Sequence, residues 1–167
     1  MNKKIIITAI VLFIAWYIFF RNKIEVPKQI SFNGSTFKLQ RSENRSDARL
    51  GYYVVDGESV EQFSNLIMVT AWPKNSLSVS DFDTRFREAF LKGLQGKLGA
   101  DNDVQGSCWV ITTINPSQTV HLVYKETSKA RMQISLTQVR EKEDSSDAPS
   151  SCKDHDSVAE NLSSSVS

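Results

Sequence analysis

The chain has 167 residues, with 20 Lys and Arg against 19 Asp and Glu, a net charge of +1, 23% charged residues and 40% hydrophobic ones. These values fit one globular domain and exclude a collagen-like, fibrous or wholly disordered chain. An excess of positive charge this small also lacks the basic face that nucleic acid requires, so no nucleic acid partner is expected.

Lys3 and Lys4 precede an uncharged apolar run that opens at Ile5 and closes at Phe20, with Arg21 and Lys23 behind it. A helix over residues 5–20 reaches about 24 Å, and snorkelling of Lys4 and Arg21 makes up the difference to the hydrocarbon core. A cleaved signal peptide needs small residues after its apolar region, but Trp16, Tyr17, Phe19 and Phe20 stand there. The segment therefore reads as an uncleaved transmembrane signal anchor, with Trp16 and Tyr17 suited to the headgroup boundary. Its short basic flank predicts residues 1–4 in the cytosol and the rest exported. The expectation is a single-pass protein of the bacterial inner membrane, held by Ile5 to Phe20, with its C-terminal domain in the periplasm. Pro27 marks residues 21–28 as a juxtamembrane linker.

Residues 29–140 carry the patterns of a folded α+β domain. Gln29 to Phe32 and Thr36 to Leu39 alternate polar and apolar around Asn33-Gly34, the favoured pair for a tight hairpin turn. Residues 41–47 mix charges without periodicity and read as a solvated loop. Leu50 to Val55 has strand composition and ends at Asp56-Gly57. Ser59 with Gln62 resembles a capping box, and Val60, Phe63 and Leu66 follow at helical spacing, so a short helix is expected there. Ile67 to Trp72 reads as a buried strand stopped by Pro73.

Ser80 and Asp83 suggest the start of a second helix, with Phe82, Phe86, Ala89, Phe90 and Gly93 on one face. Three strands follow, over Cys108 to Ile114, Val120 to Glu126 and Ala130 to Val139. The last alternates Met132, Ile134 and Leu136 with Arg131, Gln133, Ser135 and Thr137, so one of its faces is buried. The order β-β-β-α-β-α-β-β-β predicts a mostly antiparallel sheet of six or seven strands with two helices on one face. Residues 141–167 are acidic and Ser-rich, with few large apolar side chains, and are expected to form a disordered tail.

Candidate chemistry is sparse. Cys108 opens an apolar strand and Cys152 lies in the tail; an exported domain permits a disulfide between them, though spacing alone fixes no geometry. Cys152, Asp154, His155 and Asp156 gather metal-ligand types, but two soft or borderline ligands in one short segment fall short of the four that structural zinc takes. No metal and no cofactor is expected. His121 points opposite to Val120 and Leu122, towards solvent or a second layer. No Ser, Cys or Asp stands in a triad spacing with it, so no catalytic residue is assigned. Asp56, Glu58 and Glu61 cluster at a presumed helix start, where the dipole alone attracts carboxylates. Arg41, Arg45 and Arg49 recur every four residues without apolar partners and read as solvated.

The leading expectation is a non-enzymatic envelope domain that binds a protein partner, as an accessory to a secretion or conjugation assembly or as an immunity factor. One alternative is a small hydrolytic envelope enzyme using Asp56, Glu58, Glu61 and His121. Another is a lipid or small-ligand binder with a cavity around Phe82, Phe86 and Trp109.

Overall fold

The computed structural model describes residues 24–45, 48–94, 104–105, 108–111, 117–140, 152 and 155–166. The expected anchor over residues 5–20 lies outside the described residues. Among those described, no helix is long and apolar enough to cross a membrane.

Among the described residues, eight strands form one antiparallel sheet: β1 (Gln29–Phe32), β2 (Ser35–Arg45), β3 (Ala48–Val54), β4 (Asn65–Pro73), β5 (Val104–Gln105), β6 (Cys108–Ile111), β7 (Ser117–Glu126) and β8 (Ala130–Arg140). Their spatial order is β1-β2-β3-β4-β8-β7-β6-β5. The described residues also form two helices, α1 (Val79–Leu94) and α2 (His155–Ser165). The α+β class and the antiparallel sheet agree with the sequence patterns. Asn33 (φ 47°) and Gly34 (φ 75°) make the β1–β2 turn, the left-handed pair that matches strand twist in a two-residue hairpin.

Several expectations are corrected. Residues 41–45 are not a loop but the far half of β2, paired with β3 from Arg41↔Tyr52 to Arg45↔Ala48. A bulge between Leu39 and Arg41 shifts the register, and the stretch beyond it is largely exposed, which removes the alternation a strand usually shows. The expected helix at 59–66 is absent. Ser59 and Gln62 exchange backbone hydrogen bonds of 3.0 and 3.1 Å instead. The Ser59 hydroxyl that resembled a helix cap accepts from the Gln62 N–H within that tight turn, and β4 already begins at Asn65. α1 is capped two residues earlier than expected, by Ser78 in place of Ser80: the Asp81 N–H donates to Ser78 Oγ at 3.0 Å.

The tail is corrected too, because residues 155–165 are helical. Val158, Leu162 and Val166 recur at four-residue spacing and turn one face to the core, where Leu162 and Val166 are fully buried and Val158 partly so. Full burial of one such side chain is worth about 1.5–3 kcal/mol, which offsets part of the ordering cost that the polar composition suggested.

The helices lie on opposite faces of the sheet, not on one. Successive strand residues point to opposite sides. Val120 and Leu122 of β7 meet Phe86 and Phe90 of α1, whereas Val123 joins the cluster that contains Leu162 of α2 and Val166 just after it. α2 contacts both β7 and β1, strands separated in the sheet by β8, β4, β3 and β2. Reaching both requires the sheet to curl around the helix, so the main core is a concave face filled by α2. Ile30, Phe32, Ile67, Val69, Ile134 and Leu136 line it.

The expected linker also contributes. Val26 is buried in the main core and Ile24 packs against it. The Tyr53 hydroxyl donates to the Pro27 carbonyl at 2.8 Å, and burial pushes that phenol above its ordinary pKa. The domain therefore begins by residue 24.

Candidate functional site: a disulfide beside a hydrogen-bonded histidine pair

The β6–β7 register sets Cys108 directly opposite His121, which puts both side chains on the face that α2 covers. Each is 1% exposed. At the start of α2 the His155 N–H donates to the Cys152 carbonyl at 3.2 Å, so two chemically active side chains three residues apart arrive together. The structure joins Cys108 to Cys152 in a disulfide with a Cα–Cα distance of 5.7 Å. Beside it the rings of His121 and His155 lie edge to edge and nearly coplanar, 5.5 Å between centroids and 7° between planes. Their Nδ1 atoms are 3.2 Å apart, so one donates its proton to the lone pair of the other.

The other end of α2 is held by the same strand. Lys125 Nζ donates to the carbonyls of Ser163 (2.9 Å) and Val166 (2.5 Å). The helix has no basic residue in its own last turn, so Lys125 supplies the cation that the negative end of the helix dipole favours. The spans match: His121 to Lys125 is about 13 Å of strand, and His155 to Ser163 is about 12 Å of helix. α2 thus runs alongside β7, fastened at both ends.

On the opposite face, α1 is held by a polar chain. Gln133 Nε2 donates to the Tyr124 hydroxyl at 2.8 Å, and that hydroxyl donates to Asp83 Oδ1 at 2.6 Å. Arg87 Nε donates to Asp83 Oδ2 at 2.7 Å. Burial pushes the Tyr124 phenol up, and its bond to Asp83 pushes it further. Burial also raises Asp83, but the hydrogen bonds from Arg87 and Tyr124 outweigh it and hold the carboxyl below its ordinary value.

The remaining sequence candidates scatter. Asp56 pairs with Lys38 at 2.7 Å and Glu61 lies 3.6 Å from Arg41. Glu58 accepts from the N–H and hydroxyl of Ser64. A depression of about 700 Å³ at this turn is lined by Glu58, Ser59, Gln62 and Phe63 among others, and His121 is not in its wall. The carboxylates and the histidine are therefore not brought together. Phe82 stacks on Trp72 with centroids 4.0 Å apart, and Phe86 and Phe90 continue the row. They fill the space between α1 and the sheet; the Trp109 side chain lies outside the described part. Arg41 sits over the Tyr52 ring at 4.5 Å, and Arg49 Nη1 donates to the Ile24 carbonyl at 3.5 Å.

Sequence reasoning counted metal-ligand types only within the tail, and so missed that a strand pair delivers a second Cys and a second His to the same point. It also missed Lys125. The signal for α2 was present in the four-residue recurrence of Val158, Leu162 and Val166.

Residues 24–88, under half of the chain, match a protein family whose description assigns it no activity. The match opens where the described domain opens and closes within α1. No curated protein and no solved structure matches the chain.

Proposed function

We propose that the chain is a membrane-tethered extracytoplasmic domain, periplasmic in a bacterial cell, that acts by binding a protein partner rather than by catalysis. The Cys108–Cys152 disulfide carries this reading, because such bonds persist in oxidising compartments and are rare in the cytosol. The uncharged run from Ile5 to Phe20 supplies the tether. With Val26 already in the core, only a few residues separate that run from the domain, which holds it against the bilayer surface.

Support for a protein partner comes from the outer face of β3 and β4. Leu50, Tyr52, Leu66 and Met68 are half-buried there on the face opposite α2, an apolar area with Arg41 at its rim. Such areas on soluble domains mark interaction sites. The acidic cluster gives catalysis no comparable support, since Asp56 and Glu61 are taken up by ion pairs.

The test is a photo-crosslinking residue at Tyr52 or at Met68 in the full-length chain, with the exposed Lys129 as control, combined with cell fractionation. A protein adduct from the first two positions and not from Lys129, on a chain recovered in the membrane fraction with its cysteines oxidised, is the expected result. A chain found in the cytosol with free thiols, or adducts from all three positions alike, overturns the reading.

A further inference from the structure

The geometry points to a redox-gated Cys2His2 site for zinc at the junction of β6, β7 and α2, formed by Cys108, His121, Cys152 and His155. It is independent of the tether and of the protein partner.

Three observations carry it. The donors come in two preorganised pairs: Cys108 and His121 face each other across the β6–β7 ladder, and Cys152 and His155 are three residues apart at the start of α2. The ligand atoms of Cys108, His121 and His155 all lie within 4.8 Å of one another, and Cys152 is bonded to the first of them. The Nδ1 atoms are already 3.2 Å apart. A tetrahedral zinc with Zn–N bonds of about 2.0–2.1 Å has an N–N edge of about 3.3 Å, so the imidazoles stand at coordination spacing, and a tilt of about 35° of each ring turns its lone pair from the other nitrogen to the metal. Two thiolates and two imidazoles are also the soft and borderline set that selects zinc over magnesium or calcium.

The disulfide and the metal exclude each other. While the S–S bond stands, neither sulfur is a thiolate, and two imidazoles alone make an incomplete site. A dithiol reductant opens it: the Cys108–Cys152 bond takes two electrons and two protons, giving two thiols, and the dithiol closes to its own disulfide. The sulfurs then separate to the S–S edge of a tetrahedral site, about 3.8 Å for Zn–S bonds of about 2.3 Å, by side-chain rotation. Zinc takes the two thiolates and releases their protons to solvent. The imidazole whose Nδ1 carried the shared proton binds as its Nε2–H tautomer. The start of α2 is cross-linked to β6 through sulfur in one state and to both β6 and β7 through metal in the other.

The full-length chain in detergent, reduced and freed of metal under anaerobic conditions, is titrated with cobalt(II), whose spectrum reports tetrahedral thiolate ligation. The expected result is one cobalt per chain with tetrahedral visible bands and a thiolate charge-transfer band, displaced by zinc and absent from the oxidised chain. His155→Ala, at a half-buried position, weakens binding by at least roughly ten-fold, since even outer-shell changes cost that much. Cys152→Ser removes half of the charge-transfer intensity or more. If reduction alone unwinds α2, zinc restores its helical circular dichroism.

Binding that is equal in oxidised and reduced chain, a cobalt spectrum without tetrahedral bands, unchanged affinity in His155→Ala, or an unwound α2 that zinc does not restore each overturns the inference. A cytosolic location or a failed crosslink would sink the proposed function and leave these spectra untouched.

Discussion

A Cβ added at Gly51 would lie 2.7 Å from the Tyr53 hydroxyl oxygen and 2.9 Å from its ring. Both residues point into the concave face, so the ring crosses over Gly51 to bring its hydroxyl to the Pro27 carbonyl. Gly51→Ala is therefore expected to displace a fully buried ring and cost about 1–3 kcal/mol, read as a lower urea midpoint. Combining it with Tyr53→Leu, which removes the clashing phenol, should cost less than the two separate losses added together. Asp83 makes a second residue-scale prediction. Its folded pKa lies below the ordinary carboxylate value, with burial opposed and outweighed by Arg87 and Tyr124. Stability from this depression is present above the unfolded pKa and is lost as pH falls through the folded one. Denaturation midpoints of the wild type should therefore drop on acidification below about pH 4, and Asp83→Asn should remove part of that drop while lowering stability at neutral pH. An acid limb identical in the two proteins would show that Asp83 is not its source.

Element by element, what could be read from the chain depended on how local its cause was. The β1–β2 hairpin was legible because Asn33 and Gly34 accept positive φ, and β8 because Met132, Ile134 and Leu136 alternate with polar residues. The segment at 59–66 misled because a Ser hydroxyl satisfies a backbone N–H in a tight turn as well as at a helix start. α2 was missed because its stability is borrowed: three apolar residues in a polar segment pack only where the sheet already offers a concave face. Its fastenings can be tested separately. Leu162→Ala should cost about 2–5 kcal/mol, the range for deleting a buried leucine. Lys125→Met, which keeps the apolar stem and removes the charge from the Ser163 and Val166 carbonyls, should cost about 1.5–3 kcal/mol. Hydrogen exchange at the end of α2 would report the second change as local fraying. Unchanged protection there would mean that Lys125 does not cap the helix.

At the scale of the whole molecule, the decisive feature is the placing of β8 between β4 and β7. That non-local pairing curls one face around α2 and leaves the other to α1, and no local pattern in the chain encodes it; the two helices expected on one side were α1 and a helix at 59–66 that does not form. The β6–β7 pairing beyond β8 sets Cys108 opposite His121 at the start of α2. The disulfide closes a loop between residues 44 apart, for which restricting the unfolded chain is worth about 4 kcal/mol in the chain-entropy treatment. Cys108→Ser/Cys152→Ser should therefore lower unfolding stability by up to that amount in urea, with metal excluded by a chelator. Wild-type protein treated with reductant should fall to the same midpoint, and reductant should leave the double variant unmoved. Because Leu162, Val166 and Lys125 still hold α2 once the bond is gone, the variant should keep a single cooperative transition. Loss of cooperativity would instead mean that the covalent link, and not packing, keeps the helix in the sheet.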